Sequence, residues 1–200
     1  MNDNSLSQPA WLWFLVGWIG VNLLGGAVGG ILEERFQFLG TLVLFGTPLG
    51  VAQWLLLRRY IPRAWLWALV LVLGWPVANL ITIAVDPLLY PIIQTLRATG
   101  LLWEVFWLNL VRWPVVLLII GLLQGFLLTP RRRTVPLWLL ANLVGGLVVG
   151  ATGATVCYQV CSVITQSAGV LTTGAVLGAA TWAAYAIVTG RVLARLLRQR

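Results

Sequence analysis

The sequence predicts an all-α, polytopic integral membrane protein of six transmembrane helices with both termini on the cytoplasmic side. Three observations carry that expectation. Of 200 residues, 60% are apolar and 9% charged, against about 25% charged in a soluble globular domain. The apolar residues gather in six stretches bounded by charge or proline, and hydrocarbon obliges each to satisfy its backbone hydrogen bonds internally, as a helix does. The 13 basic residues, all arginine, cluster after every second stretch. Such hydrophobicity also excludes a disordered chain.

The six spans are placed at 10–30, 38–57, 64–84, 115–129, 135–156 and 168–190, each near the 20 residues or so that cross a bilayer. A tail of 1–9 precedes them; it lacks the positive n-region of a signal peptide, so the first span is read as retained. Glu33, Glu34 and Arg35 close the first span, and Arg58, Arg59 and Arg63 separate the second from the third. The fourth is short, and Trp113 and Pro114 extend it outward. Arg131, Arg132 and Arg133 follow it, and Arg191, Arg195, Arg198 and Arg200 follow the sixth. Ten of the 13 arginines thus fall on one side, facing Arg35, Arg97 and Arg112 with Glu33, Glu34, Asp86 and Glu104 on the other. The positive-inside rule makes the arginine side cytoplasmic.

Between the third and fourth spans, 86–113 carries Trp103, Phe106, Trp107, Leu110 and Trp113 at helical spacing. It is read as an outer interfacial helix at headgroup depth, or as a lid over a cavity. The tail 191–200, with arginines and leucines on opposite faces, is read as a basic amphipathic anchor on the membrane surface or a docking site for a cytoplasmic partner.

Internal similarity adds a second level of order. A shift of 71 residues superposes Gly29, Glu33, Gly50, Gln53, Trp67 and Gly74 on Gly100, Glu104, Gly121, Gln124, Trp138 and Gly145. A shift of 120 relates Trp18, Asn22 and Gly25 to Trp138, Asn142 and Gly145, and a shift of 128 relates Gly46, Gly50 and Trp54 to Gly174, Gly178 and Trp182. The expectation is a pseudo-threefold ring of hairpins, pairing spans 2–3, 4–5 and 6–1.

Six glycine pairs stand four apart: Gly25–Gly29, Gly26–Gly30, Gly46–Gly50, Gly121–Gly125, Gly146–Gly150 and Gly174–Gly178. Glycines one turn apart open one helix face to a neighbouring backbone. They fit internal packing, a homo-oligomer interface, or a slot for a flat ligand. Asn22, Asn142, Gln53, Gln124 and Thr181 fall within the spans. An unpartnered amide in hydrocarbon costs several kcal/mol, so these form interhelical pairs or line a central cavity.

Several chemistries are absent. The chain has no histidine, which removes the Ser-His catalytic sets and imidazole metal ligands. Glu33 and Glu34 resemble the paired glutamates of intramembrane CAAX-type proteases, but the histidines those enzymes need are missing. A third reading, an intramembrane enzyme, would bring Glu33, Glu104 and Arg112 together at the outer face. Cys157 and Cys161 stand four apart at the outer end of the fifth span, as two buried thiols or as a disulfide. They cannot complete a zinc site.

The string from Gly50 to Arg59, with Gln53, Trp54 and Arg58 in it, and the Trp65/Trp67 segment to Gly74 and Trp75 resemble a group of uncharacterised multi-pass proteins of cyanobacteria and related bacteria. That group repeats Gly-x-x-Gln-Trp and Leu-Arg-Arg elements. The second copy here departs, with Gly125 and Phe126 in place of the Trp54 pattern. The resemblance implies a bacterial plasma or thylakoid membrane and brings no activity. The sequence as a whole therefore leads to a non-catalytic scaffold, assembly factor or accessory subunit. It would have no cofactor, no nucleic acid partner, anionic lipid headgroups at its arginine loops, and other membrane proteins or further copies of itself as neighbours. The alternative is a transporter or substrate-capture component with a central amide-lined cavity.

Overall fold

The computed structural model describes residues 8–128 and 134–198. The first seven residues of the expected N-terminal tail, Arg131, Arg132, Arg133 and Arg200 lie outside the described residues. The described chain is helical. Helix α1 (Gln8–Phe36) turns at Gln37, in the left-handed region at φ 47°, and a π-helical turn at Gly40–Leu44 leads into α2 (Gly46–Leu57). Helices α3 (Trp65–Ala98) and α4 (Glu104–Leu128) follow. Helix α5 (Thr134–Val156) runs through a second π-helical turn at Cys157–Cys161 into α6 (Ser162–Ala168). Gly169, at φ 85°, then reverses the chain into α7 (Val170–Arg198). Six helical stretches are long and apolar enough to span a membrane, with α5 and α6 together forming the fifth.

Several boundaries differ from the sequence expectation: the first span runs to Phe36 rather than 30, and the fifth does not stop at 156 but continues through the second π-helical turn to Ala168. The third span does not stop at 84, because α3 runs on through Pro87 and Pro91 to Ala98. The segment 86–113 is accordingly no separate interfacial helix. Its first part completes α3, Gly100 at φ 66° makes the turn, and its last part opens α4. The proline signals mislead here because α4 packs alongside and supports the helix. At about 1.5 Å per residue α3 is roughly 51 Å long, well beyond a hydrocarbon core of about 30 Å. Likewise the tail after 190 is no free surface helix: it continues α7, and Leu193, Ala194, Leu196 and Leu197 are buried. Arg198 places its guanidinium 5.5 Å from the centre of the Trp11 ring.

The spans close a ring, with α1 on α2, α2 on α3, α3 on α4, α4 on α5, α5 on α7 and α7 back on α1. Each expected hairpin pair is therefore a pair of neighbours. Apolar side chains such as Trp13, Leu24, Leu73, Leu80 and Leu140 cover the outside, while Asn22, Gln53, Gln124 and Asn142 are fully buried. This inverted distribution suits a lipid solvent.

The paired glycines face neighbours within the chain. A Cβ on Gly30 would strike the carbonyl of Gly174, and one on Gly178 the carbonyl of Gly26, so α1 and α7 meet backbone to backbone. Gly46 and Gly50 receive Leu71 of α3, Gly146 and Gly150 receive Pro114 and Asn109 of α4, and Gly25 and Gly29 receive Leu49 and Phe45. Gly121 accommodates the Asn142 side chain and Gly125 approaches Val135.

At the arginine-rich end the tryptophans Trp18, Trp67 and Trp138 meet, with ring centres 6.4 Å apart for the first two and 5.7 Å for the last two. At the other end α3 and α4 are joined by two ion pairs, Arg112–Asp86 and Arg97–Glu104. The second pair is exposed (52% and 39%), so Glu104→Gln should change the melting temperature negligibly, within about 0.5 kcal/mol of wild type by thermal unfolding in detergent.

Candidate functional site

The amide cluster proves to be a network rather than a cavity lining. Trp67 Nε1 donates to Gln53 Oε1 at 2.6 Å, and Gln53 Nε2 donates to Asn22 Oδ1 at 2.8 Å. Asn22 Nδ2 donates to the Trp18 carbonyl, and Trp18 Nε1 donates to Thr189 Oγ1 at 3.1 Å. Thr189 donates to the Tyr185 carbonyl, Tyr185 OH to Asn142 Oδ1 at 2.9 Å, and Asn142 Nδ2 to the Trp138 carbonyl. The chain of bonds links α3, α2, α1, α7 and α5. Two of its neighbours stand outside it: Gln124 Oε1 and Trp138 Nε1 are buried without a partner among the described residues. They occupy the positions that, by the shift of 71, correspond to the bonded Gln53 and Trp67.

The cavity lies elsewhere, in the acidic half of the ring. It has two adjoining lobes, of about 340 and 490 Å³, which share Glu33, Thr41, Phe45, Asn109 and Trp113. The smaller lobe adds Trp75, Asn79, Thr82, Asp86 and Arg112, and the larger adds Glu34, Val149, Cys157, Gly174, Thr181 and Trp182. Every span contributes to its wall. Of the five polar residues expected either to pair between helices or to line a central cavity, Thr181 lines the larger lobe, while Asn22, Asn142, Gln53 and Gln124 are sealed below it.

Each wall has a local cause. The π-helical turn before α2 rotates Thr41 inward, where Thr41 Oγ1 donates to Glu33 Oε1 at 2.9 Å and its carbonyl accepts from Trp75 Nε1 at 2.8 Å. The second π-helical turn brings Cys157 to the larger lobe. Such turns interrupt regular helix and recur at functional sites. Arg112 engages Asp86 with two bonds, Nε to Oδ1 at 2.8 Å and Nη2 to Oδ2 at 2.7 Å. The pair is 32–39% exposed, a half-buried clamp between α3 and α4. Below, Phe45 stacks on Trp75 at 5.2 Å, and Trp182 lies 5.7 Å from Trp75 and 6.3 Å from Trp113. These rings form a floor between the cavity and the amide network.

The remaining candidates divide clearly. Glu104 pairs with Arg97 and does not reach the cavity, so the grouping of Glu33, Glu104 and Arg112 is not assembled. Cys157 and Cys161 are joined as a disulfide across the second π-helical turn, with Cα atoms 4.6 Å apart. Cys157 is exposed, which replaces the picture of two buried thiols. Asp86 and Arg112 were legible as ionisable residues beside apolar stretches, a mark of function in membrane proteins. Ending the third span at 84 places them instead in the expected outer interfacial segment 86–113. Thr41 and Phe45 carried no signal, since nothing in the local sequence announces a π-helical turn.

Fold and site together define an all-α, polytopic integral membrane protein with a polar, aromatic-floored cavity in one half of its helix ring. No model of a known family, no curated protein and no solved structure matches the chain.

Proposed function

We propose that the protein is a non-catalytic, membrane-embedded receptor or carrier component that holds a small molecule in this cavity. The carrying observation is the cavity itself: several hundred Å³, walled by all six spans, with ionisable groups set over an aromatic floor. Sites of this size with few convergent polar groups are the usual setting for small ligands. A packing scaffold accounts for the Asp86–Arg112 clamp but has no need of a half-buried Glu33 that lacks a cationic partner among the described residues, since desolvating charge costs free energy. The closed amide network below is consistent with a rigid base from which the cavity opens to one side.

We assign the arginine-rich end to the cytoplasm, so the cavity faces the other compartment; the arginine distribution supports this. The resemblance noted above supports a bacterial plasma or thylakoid membrane. Single cysteines placed at Gln37 and at Arg59, in a chain with Cys157→Ser and Cys161→Ser, should react with a membrane-impermeant maleimide from opposite faces of sealed vesicles. Labelling of both from one face would refute the topology.

The function is tested by purifying the full chain in mild detergent and identifying extracted small molecules by mass spectrometry, beside Gly153→Phe. A Cβ at Gly153 meets only Thr181, at 3.6 Å, so the ring is accommodated by the larger lobe without striking backbone. A small molecule near one equivalent in wild type, lost in the variant, is the expected result. An empty protein that instead retains a stoichiometric membrane protein partner would favour the scaffold reading.

A further inference from the structure

The chemistry of the cavity narrows its ligand. Donors around it are largely engaged within the chain. Trp75 Nε1 bonds the Thr41 carbonyl, Trp113 Nε1 bonds Asn109 Oδ1, and the hydroxyls of Thr82 and Thr181 bond the carbonyls of Ala78 and Leu177. Arg112 directs Nε and Nη2 at Asp86, which neutralises the one cation among the lining residues. What faces the space is the opposite kind of group. Glu33 accepts one bond, from Thr41, and Glu34 lines the larger lobe. Among the described residues neither carboxylate has a cationic partner. Beneath them Phe45, Trp75 and Trp182 pack on one another and are nearly buried, and Trp113, which both lobes share, is the partly exposed ring of the group.

A carboxylate drawn away from water without a counter-charge is unfavourable, and a cation supplied by a ligand removes that penalty. Aromatic rings attract the same kind of ligand through their quadrupoles, most strongly where water is excluded. An anion would meet the carboxylates of Glu33 and Glu34 and, among the described residues that line the cavity, no free cation. Resting on the reading that the cavity holds a small molecule, we propose that its ligand is a compact organic cation, a quaternary or tertiary ammonium group. It would sit between Glu33 and Glu34 above the floor of Phe45, Trp75, Trp113 and Trp182. The group could belong to a free solute or to the choline headgroup of a lipid, since both present the same chemistry.

The probe is tetraethylammonium, titrated by calorimetry into the purified full chain in dodecyl maltoside, with benzenesulfonate as the anionic control. Saturable one-site binding of the cation and none of the anion is expected. Glu33→Gln should weaken it roughly tenfold, and the double variant Glu33→Gln/Glu34→Gln should abolish it at an unchanged melting temperature. Trp113→Leu supplies a variant that leaves both carboxylates in place, and it too should weaken binding. Reconstitution separates the two sources. Inhibition of tetraethylammonium binding in phosphatidylcholine vesicles relative to phosphatidylglycerol vesicles identifies the headgroup; equal binding in both identifies a free cation. Absence of saturable binding to wild type, or binding unaltered in the folded double variant, overturns the proposal. A neutral or anionic molecule that copurifies and is displaced by Gly153→Phe would uphold the cavity reading and overturn the cation alone.

Discussion

Gly178→Leu will keep α7 from seating on α1 and will lower stability by about 3 kcal/mol or more. Overpacking a core usually costs about 1–3 kcal/mol, because side chains can rotate away from an inserted methylene. Here the atom in the way is the backbone carbonyl of Gly26, and Gly30 and Gly174 repeat the same contact one turn along. Relief requires one whole helix to move off the other. That seam also closes the ring, and it positions Trp182 in the cavity floor. Gly20→Leu provides the contrast, since a Cβ there meets nothing within 4 Å, and its effect should stay within about 0.5 kcal/mol. Thermal unfolding in mild detergent reads both. Equal melting temperatures for Gly178→Leu and wild type would show that α1 and α7 do not pack in this way.

Gln53→Leu should rank next, at about 3 kcal/mol. Leucine nearly matches glutamine in volume, so packing changes little and the polar consequences dominate. Two atoms lose their partners: Trp67 Nε1 and Asn22 Oδ1. Their residues are 1% and 0% exposed, so water offers no replacement. An interhelical hydrogen bond in a membrane contributes only about 0.6 kcal/mol on average, but an orphaned buried group costs about 1–3 kcal/mol. The orphans decide the outcome. Removing them together, in Gln53→Leu/Asn22→Leu/Trp67→Phe, should recover much of the loss, as seen in the unfolding midpoint. Gln124→Leu makes the complementary case: Gln124 Oε1 accepts from no donor among the described residues, so its loss should cost under about 1 kcal/mol. A Gln124→Leu penalty equal to that of Gln53→Leu would mean that Gln124 is bonded as its counterpart is.

Long apolar runs made the helical class and the number of spans legible, because a bilayer leaves a chain of this composition few alternatives. The ends of the runs were less legible. Pro87 and Pro91 carry the same local signal whether they end a helix or lie within one, and only the neighbouring α4 decides between the two. The equivalent placement of Asn22 and Asn142 was visible as a repeat, yet whether an amide faces a cavity or another amide depends on the rotation of each helix. Asn22 finds Gln53, and Asn142 finds Tyr185, 43 residues away.

The amino-acid sequence by itself determined that this protein lives in lipid, crosses it on six helices, segregates its arginines and lacks imidazole chemistry. Those properties follow from composition and from periodicity along one segment at a time. Tertiary structure alone decided that Glu33, Thr41, Asp86 and Arg112 share one cavity, and that the amides lie sealed beneath it. The reason is geometric. Closing the ring through the α1–α7 glycine seam and two π-helical turns sets the rotation of every helix, and no single helix carries that information.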